Sequence, residues 1–176
     1  MSDVTNIIIA GGSGQLIQTI TRACEKNGGV RSISGGCVCE TGEEPAFCIM
    51  TADCIGDLSG RGIVVFGGKP CRAGRLEEMV GIVEDGSTAA LLQAGNCGMA
   101  VTCSVGSRAT VSLSGMTGRK KLVSLQRSLT ALDGTVIEPH EFYVSPSEET
   151  DWYPLLAACA VLLLTKGGLD GSELVW

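Results

Sequence analysis

Aromatic side chains are scarce in this sequence: three Phe, two Tyr and two Trp among 176 residues. The shortage excludes a core of aromatic slabs, and 25 glycines with 44% hydrophobic residues point instead to close turns and small aliphatic packing. Histidine occurs once, at His140, so any Ser–His or Cys–His mechanism would have to use that imidazole. It lies between Glu138 and Glu141 with no nucleophile assignable to it, and reads as a surface residue. Basic residues are outnumbered 13 to 19, for a net charge of −6. That balance excludes unguided binding to nucleic acid or an anionic membrane, which needs clustered Lys and Arg. Arg119, Lys120 and Lys121 form the one basic cluster and read as a solvated turn. No apolar run is long enough to span a bilayer; Leu155 to Leu164 is about half of what one requires. The N-terminus carries Asp3 and no basic stretch before an apolar run, unlike a signal peptide. A soluble, cytoplasmic protein is expected, with neither nucleic acid nor membrane as partner.

What is present is organised around the first strand-to-helix junction, "NIIIAGGSGQLIQTITRAC". Asn6 to Ala10 is short, branched and apolar, as a strand buried on both faces of a parallel sheet should be. Gly11, Gly12 and Gly14 turn the backbone sharply around Ser13, and Gln15 opens a helix whose Leu16, Ile17, Ile20, Ala23 and Cys24 share one stripe. Free N–H groups at the start of such a helix attract an anion, so the loop is a candidate phosphate or nucleotide site. "GIVVFGGKPCRAGRLEEM" repeats the grammar: a strand from Ile63 to Phe66, a double glycine at Gly67 and Gly68 followed by Lys69, then a helix carrying Leu76, Met79 and Val80. In a parallel sheet both glycine corners fall at the carboxyl edge, where open α/β sheets bind ligands. Lys69 and Arg72 are then candidate cations for a phosphate.

Elsewhere, Val30 to Ile33 and Phe47 to Met50 read as strands, and Thr51 to Gly62 as a connection. Gly81 to Glu84 reads as a short strand, Ser87 caps a helix ending at Gly95, and Met99 to Cys103 is another strand. Beyond Ser107, Thr110 to Leu113, Val123 to Leu129 and Val136 to Val144 alternate apolar with polar residues, with Asp133-Gly134 as a hairpin turn. Asp151 and Pro154 start a helix that is apolar all round and ends at Gly167, so it must be buried under the sheet or in an interface. The expectation is one α/β domain over 1–176: a three-layer, wound, mostly parallel sheet of P-loop or Rossmann type, with antiparallel strands near the C-terminus.

The order of these pieces resembles the central domain of the Mur ligases, ATP-dependent enzymes that build the peptidoglycan peptide. "AGGSGQLIQT" falls where that family has its P-loop, and "GIVEDGSTAALLQAG" is similar to its Asn-Asp-Asp segment and following helix. "MAVTCSVGSRATVSLSG" is similar to its Thr-Phe-Gly strand, and "DWYPLLAACAVLLLTKGG" to the closing helix after a His-Asn signature. The chain also resembles small uncharacterised proteins of anaerobic Gram-positive bacteria through "VSLQRSLTALDGTVIEP". The resemblance implies an ATP, ADP or other phosphate ligand at Gly11, Gly12, Ser13, Gly14, Gln15, Gly67, Gly68 and Lys69. The departures imply lost ligase activity. Gln15 and Leu16 replace the P-loop Lys and Ser/Thr, Trp152 and Tyr153 replace His-Asn, and only Glu84 and Asp85 remain of Asn-Asp-Asp.

Three alternatives stand beside this reading. "GGSGQL" resembles the glycine turn of NAD(P)-binding Rossmann proteins of the NmrA-like reductase kind, although "VRSISGG" lacks their ribose-binding acid and offers Arg31. A non-catalytic interaction subunit, homo-oligomeric or bound to another protein, is the second. The third is metal binding by Cys37, Cys39, Cys48 and Cys54, whose spacing matches no familiar knuckle. The remaining cysteines read as reduced core filler. Asp53, Asp57, Glu84 and Asp85 are candidate Mg²⁺ ligands, or caps and turn residues.

Overall fold

The computed structural model describes residues 4–167 and 173–176. Asp3, which entered the reading of the N-terminus, lies outside them.

In chain order the elements are β1 (Thr5–Ala10), α1 (Gly14–Gly28), β2 (Val30–Ser34), β3 (Cys37–Thr41), β4 (Phe47–Ala52) and β5 (Cys54–Ile55). There follow β6 (Gly62–Phe66), β7 (Arg72–Ala73), β8 (Leu76–Glu84), α2 (Thr88–Ala94) and β9 (Cys97–Ser104). The C-terminal part holds β10 (Val111–Thr117), β11 (Lys120–Leu125), β12 (Leu129–Thr130), β13 (Val136–Ile137), β14 (His140–Ser145), α3 (Trp152–Lys166) and β15 (Glu173–Val175). Eleven strands form one sheet in the order β15-β14-β11-β10-β9-β8-β6-β1-β4-β2-β3. Among the described residues only β3 and β11 run against the common direction, so the sheet is mostly parallel with antiparallel pairing towards the C-terminus and at the β3 edge.

The alternation of β1 decides the layers. Ile7 and Ile9 turn to the face that carries α1 and α3, while Ile8 and Ala10 turn to the face that carries α2. Both faces need cover, and the helices supply it according to their composition. α1 is amphipathic and buries Leu16, Thr19, Ile20, Ala23 and Cys24. α3 is apolar on every side, and all residues from Tyr153 to Leu164 are buried between the sheet and α1. Its C-cap Gly167 sits at φ 64°, the left-handed turn that ends the helix as expected. The short helix α2 buries only Ala90 and Ala94 on the opposite face. Beyond α2 that face turns polar. Ser112 and Ser124 are buried there because the Gln126 side-chain amide donates to both hydroxyls at 3.0 Å.

The helix expected after the second double glycine is not there. Leu76, Met79 and Val80 belong to β8, which starts eight residues after Gly68 and pairs in parallel with β6. The connection is made without a helix by the small β5–β7 pair. "LEEMVGIVE" reads apolar at positions compatible with a helical stripe, but burial on both faces of a central strand gives the same list of apolar residues. The stretch Val136 to Val144 is also broken in two: β13 pairs with β12 across the Asp133-Gly134 turn, and β14 joins the main sheet.

Candidate functional site

The two glycine corners meet. Gly67 N–H donates to the Ala10 carbonyl at 2.7 Å and Lys69 N–H to the Gly11 carbonyl at 3.2 Å, at the carboxyl ends of the adjacent parallel strands β1 and β6. Side chains are excluded from the contact. A Cβ on Gly11 would run into the Lys69 carbonyl, and one on Gly67 into the Gly11 backbone. Gly11 also has φ 61°, a conformation that L side chains rarely adopt.

Behind this rim α1 begins. Ser13 is its N-cap, and the Ser13 hydroxyl accepts the Leu16 N–H at 3.2 Å. Among the described residues, the N–H groups of Gly12, Ser13, Gly14 and Gln15 have no hydrogen-bond acceptor. Of the expected site residues Ser13, Gln15 and Gly68 line a cavity of about 280 Å³ with Leu16, Glu84, Asp151, Trp152, Tyr153 and Pro154, whereas Gly11, Gly12, Gly14 and Gly67 are outside its lining. The structure thus joins three separated stretches: the glycine loop, the end of β8 and the start of α3.

Tyr153 holds the third of these in place. Its hydroxyl donates to the Phe66 carbonyl at 2.5 Å and lies 3.4 Å from the Ile82 carbonyl, pinning α3 to the ends of β6 and β8. Burial pushes the phenol well above its ordinary pKa, and the neighbouring Cys103 and Glu84 add to the shift. The hydroxyl serves as a hydrogen-bond donor to the Phe66 carbonyl.

The other sequence candidates are placed differently. Lys69 contributes backbone to the rim, but it lines a separate, smaller cavity with Phe66, Pro70, Cys71, Ser87 and Gln93 on the α2 side. Arg72 lies in β7, exposed. Neither belongs to the lining of the cavity beside Ser13, whose charged side chains are Glu84 and Asp151. Leu16, at the position of a Mg²⁺-holding hydroxyl, is 2% exposed and part of the core. Asp57 accepts the Arg75 N–H at 2.9 Å, a turn contact. His140 is half-buried on β14, with Nδ1 2.7 Å from the Glu138 carbonyl.

The four clustered cysteines are not brought together. Cys37 and Cys39 project from β3 on the face shared by Ser32 and Ile49, Cys48 projects from the opposite face, and Cys54 lies in β5 outside the main sheet. Among the described residues no group of three or more His, Cys, Asp or Glu could hold a metal ion. Cys24, Cys71, Cys103 and Cys159 are buried. Burial raises all four thiols, and pushes the half-buried Cys97 up to about 11.

One relation was hidden from sequence reasoning. β1 is flanked by β6 and β4, and β2, the strand that follows α1 in the chain, is placed outside β4. The residue that follows the neighbouring strand is therefore Asp53, directly after Ala52, whose carbonyl accepts the Gly11 N–H at 3.0 Å. "VRSISGG", at the end of β2, lies one strand further from β1.

No protein-family model matches the chain, and no curated protein does. Among solved structures it is similar to UDP-N-acetylmuramoyl-L-alanyl-D-glutamate–2,6-diaminopimelate ligase. The TM-score is 0.56 at 10% identity, over 95% of this chain. The fold is Mur-ligase-like. The chain spans 44% of that ligase's length, and at this identity the likeness establishes the Mur-ligase-like architecture alone. Among the described residues no helix is long and apolar enough to cross a membrane.

Proposed function

We propose that this chain is a Mur-ligase-like domain without ligase activity that takes a small phosphate-bearing ligand, ATP or ADP included, at its glycine rim. The observation that carries the reading is the direct backbone contact of the two glycine corners, which sets Ser13 and Gln15 at the start of α1, together with Gly68, in the wall of a 280 Å³ cavity. Loss of ligation follows from the residues in that cavity. A phosphoryl-transfer site needs a cation on the β and γ phosphates and a hydroxyl on Mg²⁺. Here those positions hold Gln15, which is neutral, and Leu16, which is buried.

The two carboxylates in the lining set a condition on binding. A polyphosphate facing Glu84 and Asp151 needs a divalent cation between the like charges, so occupancy depends on Mg²⁺. Thermal-shift titration with ATP, ADP and inorganic phosphate, with and without Mg²⁺, tests this. A ligand at 100 times its Kd stabilises the fold by about 2.7 kcal/mol, and the shift is expected only with Mg²⁺ present. Unchanged melting with every phosphate at millimolar concentration would sink the ligand and leave the interaction-subunit reading.

Asp53 favours a second reading, since an acid after the strand next to a glycine turn is where Rossmann proteins hold the adenosine ribose of NAD. A shift with NAD that needs no Mg²⁺ and is lost in Asp53→Asn would replace the first reading with this one.

A further inference from the structure

The cavity beside Ser13 is lined by two acids and no base. Glu84, half-buried at the end of β8, and Asp151, exposed before α3, both border it, and neither carboxylate has an ion-pair partner among the described residues. Asp151 is also released from the work its position suggests. It is the N-cap of α3, with φ −60° and ψ 154°, where an aspartate ordinarily accepts an N–H of its own first turn. Its side chain makes no such bond and lines the cavity instead. Two carboxylates bordering one cavity repel unless a cation lies between them. The rest of that wall is carbon, because the half-buried Trp152 indole and the Pro154 ring complete it. A bare metal ion is poorly served there: Mg²⁺ and Ca²⁺ take six or more oxygens, and no third His, Cys, Asp or Glu joins the pair among the described residues. An alkylammonium suits the same wall better, since its N–H groups meet carboxylate oxygens while its charge and methylenes meet an aromatic ring.

We propose that the ligand of this cavity is a phosphorylated amine: a phosphomonoester whose ammonium lies between Glu84 and Asp151 against Trp152, while its phosphate takes the uncharged wall of Ser13, Gln15 and Gly68. The inference rests on the phosphate reading of that second wall and adds the chemistry of the first. It separates two classes of ligand. ATP and ADP carry only negative charge on their phosphates and need Mg²⁺ to approach the acids, whereas a phosphorylated amine brings its own cation and binds without metal. Opposite charges at the two ends of one small molecule then match the two unlike walls of one cavity.

The test is calorimetric titration in EDTA with 3-aminopropyl phosphate and with propyl phosphate, which has the same head and no amine. Binding of the amine is expected to be about tenfold tighter. Glu84→Gln and Asp151→Asn, which keep shape and remove charge, should each narrow that preference, and together abolish it. Asp151 makes no capping bond, so its replacement leaves the start of α3 intact; unchanged urea midpoints check this for both variants. Equal affinity for the two phosphates would overturn the ammonium site and leave the phosphate reading standing. A melting shift with ATP and Mg²⁺ but no heat from 3-aminopropyl phosphate would do the same, as would an amine preference that survives the double variant. Failure of every phosphate, ATP with Mg²⁺ included, would remove the phosphate reading itself and this inference with it.

Discussion

At the scale of single residues, the glycines of the rim are not equivalent. A Cβ on Gly12 would lie 2.5 Å from Ile9 Cγ2, inside the core, whereas one on Gly14 meets nothing within 4 Å. Gly12→Val should therefore destabilise the fold by about 1–3 kcal/mol through overpacking, and cannot report on ligand binding alone. Gly14→Ala should gain about 0.5–1 kcal/mol of helix stability, with urea denaturation measuring both. Tyr153→Phe removes the donor shared by the Phe66 and Ile82 carbonyls. A loss of about 1–3 kcal/mol is expected, and an unchanged urea midpoint would show that the hydroxyl is no pin. None of this was legible beforehand. Tyr153 was visible only as a departure from His-Asn, and its partners lie 87 and 71 positions away.

At the scale of elements, α3 is the part whose fate follows most directly from composition. A helix with no polar face has nothing to offer water, and its capping residues, Asp151 and Gly167, bound it where expected. Leu156 and Leu163 are fully buried, so Leu156→Ala or Leu163→Ala should cost about 2–5 kcal/mol in chemical denaturation. Gly167→Ala should cost about 1 kcal/mol because φ is 64° and the new Cβ would crowd Asp133 and Thr135. β8 shows where pattern reading stops. Leu76 to Val83 holds apolar residues for two opposite faces of a sheet, and that list is the same as for a buried helix until the neighbours β6 and β9 are known.

At the scale of the whole molecule, the buried thiols give the fold a ceiling in pH. Cys24, Cys103 and Cys159 have pKa values raised by burial, and Tyr153 is raised in the same way. In the unfolded chain these groups lose their protons near their ordinary values of 9.0 and 10.0, while the folded state retains them. Proton loss then favours the unfolded chain, so stability is full below about pH 9 and falls as pH rises above it. Urea midpoints at pH 8 and 10.5 measure this, and Cys103→Ala should flatten the dependence.

By itself the sequence determined the local grammar: a both-faces-buried first strand, a glycine corner opening α1, an all-apolar last helix, and a mostly parallel α/β sheet. Such features depend on backbone conformation and on which side chains avoid water, both encoded within a few residues. Only the tertiary structure decided who meets whom. It set β4 beside β1, brought Glu84 and Trp152 to the glycine loop, placed Lys69 in the lining of a second cavity, and split the cysteines between two faces. Those outcomes depend on strand order, which is chosen by the joint burial of distant segments and has no signature in any one of them.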